Sequence, residues 1–161
     1  TEIGLLTGLT NLFLWWNNFI GTVPSEIGLL TGLERLSLGD NNFTRTIPSE
    51  IELLTGLNFL GLAYNYLTGT IPKQIGLLTG LTSLDFDVNS FTGTIPSEIG
   101  LLTDLSYLVL YDNLFSGSIP SEVEALEAYN FDDGTSEVKL RRISFLIMNA
   151  CSQHESDPTV F

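Results

Sequence analysis

Asp85 and Asp87 stand two residues apart in a run, Leu-Asp-Phe-Asp, that alternates like a strand, so both carboxylates leave the same face. Such a pair could share a calcium ion, or divide acid and base roles as in glycoside hydrolysis. Neither chemistry is complete: calcium takes roughly six to eight oxygens, and an open sheet face supplies no water-excluding pocket to raise one pKa. The expectation is a solvated acidic face with no metal and no cofactor. Other reactive parts are scarce. His154 is the single histidine and Cys151 the single cysteine, which leaves no disulfide framework, no multi-cysteine metal site and little for imidazole catalysis. Cys151 has no base or cation motif beside it and reads as an inert thiol. Without a nucleophile and base in reach of each other, the chain reads as a non-enzyme.

Recognition chemistry is better supplied. The 161 residues carry 19 Asp and Glu against 6 Lys and Arg, a formal charge of −13. Nucleic acid and anionic membranes both demand a cation surplus, so they are excluded as partners and basic ones are favoured. No apolar run approaches the roughly 20 residues of a membrane span; Ile143 to Met148, for one, is broken by Ser144.

The elements that position these side chains follow from the prolines. Pro24, Pro48, Pro72, Pro96 and Pro120 are each 24 residues apart, a period that signals a solenoid. Five units begin at Leu9, Leu33, Leu57, Leu81 and Leu105 and follow LxxLxLxxNxΦxGxΦPxxΦxxLxx, where Φ is apolar. Residues 1–8 form the end of a further unit, since Glu2 to Gly8 repeats Glu26 to Gly32. Alternation such as Leu36-Ser37-Leu38 predicts one short strand per unit, stacked into a parallel sheet. Asn17, Asn41, Asn65, Asn89 and Asn113 follow the strands, where their amides can satisfy turning backbone as an internal ladder. Pro then opens a helical or 3₁₀ turn on the outer side.

This pattern resembles the leucine-rich repeat, specifically the plant-type class of 24 residues marked by Gly-x-Ile-Pro, over residues 1–126. The resemblance implies an α/β horseshoe with a concave parallel sheet and short outer 3₁₀ turns. It also implies an extracellular or cell-surface recognition module, as in receptor-kinase ectodomains, receptor-like proteins and secreted inhibitors. Arg45 stands where the pattern has Gly, Phe86 where it has a strand leucine, and the family's cysteine-paired caps have no counterpart. From 127 to 161 the repeat fails, and Ile143 to Met148 reads as a cap over the last unit.

Outward strand positions vary while the leucines and asparagines stay fixed. They carry Phe13, Trp15, Trp16, Phe59, Tyr64, Tyr107 and Tyr111, the residue types that anchor interfaces, and the acids Glu34, Asp40, Asp85, Asp87 and Asp112 against one cation, Arg35. These are the candidate ligand-binding residues, for a protein or peptide of basic character or, as an alternative, a wall polysaccharide. Aromatics packing across rungs through β-propensity alone is the plainer account.

Two further features need placing. Thr46, Thr68, Thr70, Thr92 and Thr94 belong to a Thr-x-Thr series that, if extended, forms a flat lattice of the kind ice-binding solenoids present. Turn chemistry explains the same residues. Asn42-Phe43-Thr44 is a glycosylation sequon at what reads as an exposed position.

Overall fold

The structure, a computed structural model, describes residues 2–129, with side chains described to Leu126. The Ile143 to Met148 cap, Cys151 and His154 lie outside the described residues. The strands in chain order are β1 (Asn11–Phe13), β2 (Ile20–Thr22), β3 (Arg35–Ser37), β4 (Asn42–Arg45), β5 (Phe59–Gly61), β6 (Tyr66–Gly69), β7 (Ser83–Asp85), β8 (Ser90–Gly93), β9 (Tyr107–Val109) and β10 (Leu114–Phe115). The 3₁₀ turns Ser25–Leu29, Ser49–Leu53, Lys73–Leu77 and Ser97–Leu101 separate successive units, Glu2–Leu5 precedes the first, and the helix α1 (Ser121–Tyr129) follows the last.

Odd-numbered strands form one parallel sheet in the order β1-β3-β5-β7-β9. Its register advances one unit per strand, so Leu12, Leu36, Leu60, Leu84 and Leu108 make a single column. All but Leu12 are fully buried, and Leu12 lies on the terminal rung. Each such leucine contributes about 1.5–3 kcal/mol by leaving water, but only while the rungs on both sides cover it. Phe86 is absorbed without loss: it is fully buried and meets Phe91 at 5.6 Å between ring centroids, with Phe115 stacked 6.3 Å beyond Phe91.

The asparagines work as the spacing predicts. Asn65 donates from Nδ2 to the carbonyls of Leu38, Leu62 and Ala63 and accepts the Phe43 N–H at 3.0 Å, so one amide ties two rungs together. Asn41, Asn89 and Asn113 make the same four contacts. Asn17, on the first strand's rung, bonds only the carbonyls of Leu14 and Trp15.

The outer turns are short because they must pass close to one another. A Cβ on Gly76 would stand 2.6 Å from the Glu98 carbonyl oxygen, and one on Gly100 2.5 Å from that of Glu122. Glu52 occupies this position in the Ser49–Leu53 turn, and that turn touches the next less extensively than its neighbours touch theirs. In the last unit the equivalents of Gly100 and Leu101 are Glu124 and Ala125, and Glu127 and Ala128 follow; these helix formers turn the 3₁₀ segment into α1. Val123 and Leu126 of α1 are buried on the preceding rung.

The even strands form a second parallel sheet, β10-β8-β6-β4-β2, which the repeat pattern does not announce. Its register differs: Thr22 pairs Thr44, Thr44 pairs Tyr66, Thr68 pairs Ser90 and Thr92 pairs Leu114, an offset of two residues from the repeat at every rung. Gly21, Gly69, Gly93 and Gly117 take left-handed φ of 76–87°, which explains the glycine in each unit; Arg45 is forced to φ 65° at the same place.

Candidate functional site

Register fixes which outward side chains meet. One row across the concave sheet is Asn11, Arg35, Phe59, Ser83 and Tyr107, and the next is Phe13, Ser37, Gly61, Asp85 and Val109. Inter-rung bonds continue past the strands, for example Tyr64 N–H to the Asp87 carbonyl at 3.0 Å and Val88 N–H to that of Tyr111 at 3.1 Å. The last row is Trp16, Asp40, Tyr64, Val88 and Asp112, every one left-handed at φ 47–56°. That backbone turns the chain inward toward the asparagine, and it is unfavourable for every one of these residues, most of all the β-branched Val88.

The N-terminal half is aromatic and open. Phe13, Trp15 and Trp16 are 51%, 53% and 79% exposed, and the two indoles lie 6.1 Å apart. Arg35 is flanked by rings from both neighbouring strands: its Cζ is 6.0 Å from the Phe13 centroid and 5.0 Å from that of Phe59. Trp16, Asp40 and Tyr64, with Asn17, Asn18, Asn41 and Asn42, line an open cleft of about 360 Å³. Asn42 is half-buried in that cleft instead of exposed as its sequon suggests, since it opens β4 and its N–H is donated to the Phe19 carbonyl. Glu34, Asp40 and Asp112 are exposed as expected, whereas Phe59, Tyr107 and Tyr111 are half-buried.

The expectation of solvated acids fails at Asp85 and Asp87. Asp85 is only partly exposed, Asp87 is buried at 4% exposure, and Oδ1 of each is shut from water with no hydrogen-bond partner. Burial, then hydrogen bonding to the Asp87 carboxyl and repulsion from its charge, pushes the Asp85 pKa up to about 7, against a smaller lowering by the Asp87 N–H. The open sheet face therefore does shield a carboxylate. The physical reason is the neighbouring rung: the Tyr111 hydroxyl engages Asp87 first and Tyr64 second, and both interactions with burial drive the phenol pKa far above its usual range. Phenols stand where water was expected. The signal was present in the sequence, because Tyr111 follows Asp87 by one 24-residue period and so must stand beside it. No group of three or more potential metal-ligating side chains occurs among the described residues.

Thr68 and Thr92 are exposed on the second sheet, and Thr46, Thr70 and Thr94 are exposed just past the ends of its strands. They do not form the rectangular lattice that the repeat spacing suggests, because the two-residue offset steps each Thr-x-Thr run sideways at every rung. Thr44 and Thr92 also spend their hydroxyl protons on the carbonyls of Gly21 and Gly69.

The Leucine Rich Repeat family matches residues 32–54 and 80–102. No curated protein matches the chain. Among solved structures, the plant peptide hormone receptor RGFR1 in complex with RGF2 is 40% identical with a TM-score of 0.76, over 79% of this chain and 20% of that one. The Arabidopsis receptor kinase HAESA, in complex with the peptide hormone IDA and the co-receptor SERK1, is 38% identical with a TM-score of 0.74, over 76% of this chain and 20% of that one. A plant ice-binding protein is 30% identical with a TM-score of 0.72, over 75% of this chain and 39% of that one. The chain thus spans a fifth of the length of the two receptor chains.

Proposed function

Because the chain is a plant-type leucine-rich-repeat protein, we propose that it is a non-enzymatic recognition module that binds a protein or peptide ligand of basic character on the aromatic and acidic face of its concave sheet. The array 1–126 is the binding body and 127–161 a terminal segment. The observation that carries this reading is Tyr64, 48% exposed on an interior rung beside the cleft of a sheet whose leucines and asparagines are already satisfied, with Phe13, Trp15 and Trp16 exposed on the end rung, where they could equally cover an upstream repeat. Exposed aromatics beside a cleft are what a partner's side chains can desolvate, and the scaffold gains nothing from leaving them in water. Similarity to receptors solved with peptide hormones supports a peptide. Exposed Glu34, Asp40 and Asp112 would steer a cationic ligand and chiefly raise its association rate. An extracellular or cell-surface setting fits the same relatives, and no described helix is long and apolar enough to cross a membrane.

The test is a binding screen of the chain against secreted peptides and wall glycans, repeated with Trp16, Tyr64 and Tyr111 changed to Ala. A peptide ligand should dissociate at least roughly tenfold faster from the triple variant and bind more weakly as salt rises. A glycan would lose affinity with the aromatics but hardly with salt. Undiminished binding after all three substitutions would overturn the concave-face reading. The second reading, ice binding, is supported by the 30% identity to a plant ice-binding protein and by the exposure of Thr46, Thr68, Thr70, Thr92 and Thr94. It requires thermal hysteresis that disappears with Thr70→Lys and Thr94→Lys.

A further inference from the structure

The acid pair is built in a way that general acidity of the face does not explain. Two carboxylate oxygens, Oδ1 of Asp85 and Oδ1 of Asp87, are buried and unpartnered on adjacent outward positions of one rung. A buried acceptor without a donor is strongly unfavourable, and two such acceptors side by side more so. Something must supply hydrogen. Burial favours the protonated form of Asp85, which supplies one hydrogen in the free protein. No cation of the sheet can, since residues 57–64, 81–88 and 105–112 of this rung and its two neighbours contain no Lys or Arg. The groups facing the pair are Gly61, Ala63 and Tyr64 on one side and Val109, Tyr111 and Asp112 on the other, so its titratable neighbours are two phenols and one further acid.

We infer that Asp85 and Asp87, with Tyr64 and Tyr111, form a socket for one arginine side chain of the ligand, whose guanidinium supplies donors to the two orphan oxygens. The inference rests on the recognition reading above and names the anchor within it. When the guanidinium binds, two of its N–H groups donate to the orphan oxygens and the proton held on Asp85 passes to solvent. Its plane can lie against the phenol rings, as Arg35 already lies between Phe13 and Phe59 on the same sheet. Calcium is a poorer fit, because two carboxylates and two phenols fall well short of its roughly six to eight oxygens. Lysine brings a strongly hydrated point charge with no planar fork to match two acceptors. Entry is through Asp85, which is partly exposed, once Tyr64, 48% exposed, swings away from the Tyr111 hydroxyl. The site also predicts proton linkage. Because Asp85 gives up its proton near pH 7, arginine should bind well above that pH and lose roughly tenfold in affinity per unit below it.

Carboxyl-detected NMR on the full 161-residue chain tests this without the natural ligand. The probes are N-acetyl-arginine amide, N-acetyl-lysine amide, the neutral N-acetyl-citrulline amide and calcium chloride. Arginine amide should shift the Asp85 and Asp87 carboxyl signals saturably at pH 8 and lower the midpoint of Asp85 titration, with lysine amide weaker and citrulline amide silent. Asp87→Asn should abolish the response while circular dichroism remains unchanged. The socket is overturned if arginine amide leaves both signals unmoved at pH 8, if citrulline amide shifts them equally, or if calcium saturates them in preference. A peptide that binds through Trp15 and Trp16 while arginine amide stays silent removes the socket and leaves the recognition reading standing. Saturable arginine binding with no peptide ligand found does the opposite.

Discussion

The two ends of the concave sheet share a backbone and differ in what that backbone does with similar positions. Trp15 and Asp87 both occupy the seventh place of their units, yet Trp15 is 53% exposed and Asp87 4%. Phe13 and Val109 both occupy the fifth, at 51% and 2%. Position in the unit therefore does not decide exposure; the neighbouring rungs do, and Phe13 and Trp15 have a rung on one side only. Phe13 has Ser37 beside it and stands clear, while Asp87 has Tyr111 beside it and is covered. One half of the face offers apolar rings to a partner, and the other keeps charge out of water until a partner supplies its complement.

If the scaffold is common to both halves, removing its asparagines should hurt both equally. Asn41→Ala and Asn89→Ala each delete an amide with four contacts and strand buried carbonyls and an N–H, so each should cost about 3–5 kcal/mol in urea unfolding. Asn17→Ala, which loses two exposed contacts, should cost less than about 1 kcal/mol. A difference between Asn41 and Asn89 larger than that would mean the halves differ in scaffold as well as in cargo surface.

The acid pair separates the halves by pH. Asp85 titrates near 3.8 when unfolded and near 7 when folded. A raised carboxylate pKa means the folded state holds the proton more tightly, so stability is greatest below 3.8, falls as pH rises through the window and levels off above about 7. This contribution to the melting temperature should therefore decline by several degrees between pH 4 and pH 7.5. Asp85→Asn should flatten that decline, and Glu34→Gln, on the open half, should leave it unchanged. A slope that survives Asp85→Asn would show that the Asp85 carboxyl is not its source.

Much of this was legible in the sequence, for reasons that differ by region. The leucine column, the asparagine ladder and the outer turns follow from a 24-residue period because each unit solves the same packing problem. The second sheet was not legible as a sheet, since its two-residue offset per rung breaks the repeat's own spacing. The burial of Asp87 is not visible along its own strand, because the residue that covers it lies one period away. Arg45 was visible as a departure but not as strain. It adopts φ 65° where four other units use Gly, so Arg45→Gly should stabilise the protein by about 1 kcal/mol, seen as a higher urea midpoint. A neutral or destabilising result would show that the arginine side chain makes compensating contacts beneath the open half.

The smallest expected effect bears most directly on how this sheet handles a guanidinium. Arg35 lies 5.0 Å from the Phe59 centroid and 6.0 Å from that of Phe13, both within the range where a cation is drawn to a ring face. Phe59 is half-buried and Phe13 is 51% exposed, so the nearer pair is also the less screened by water. A double-mutant cycle with Arg35→Met and Phe59→Leu keeps the apolar bulk and removes only the charge and the ring. It should give a coupling of about 0.5–1 kcal/mol, and the cycle with Phe13→Leu a smaller one. Equal couplings would mean that distance and burial do not govern the contact. Zero coupling in both would make Arg35 an unheld cation on an acidic face, and would deprive the socket at Asp85 and Asp87 of its internal precedent for a guanidinium seated against rings from adjacent rungs.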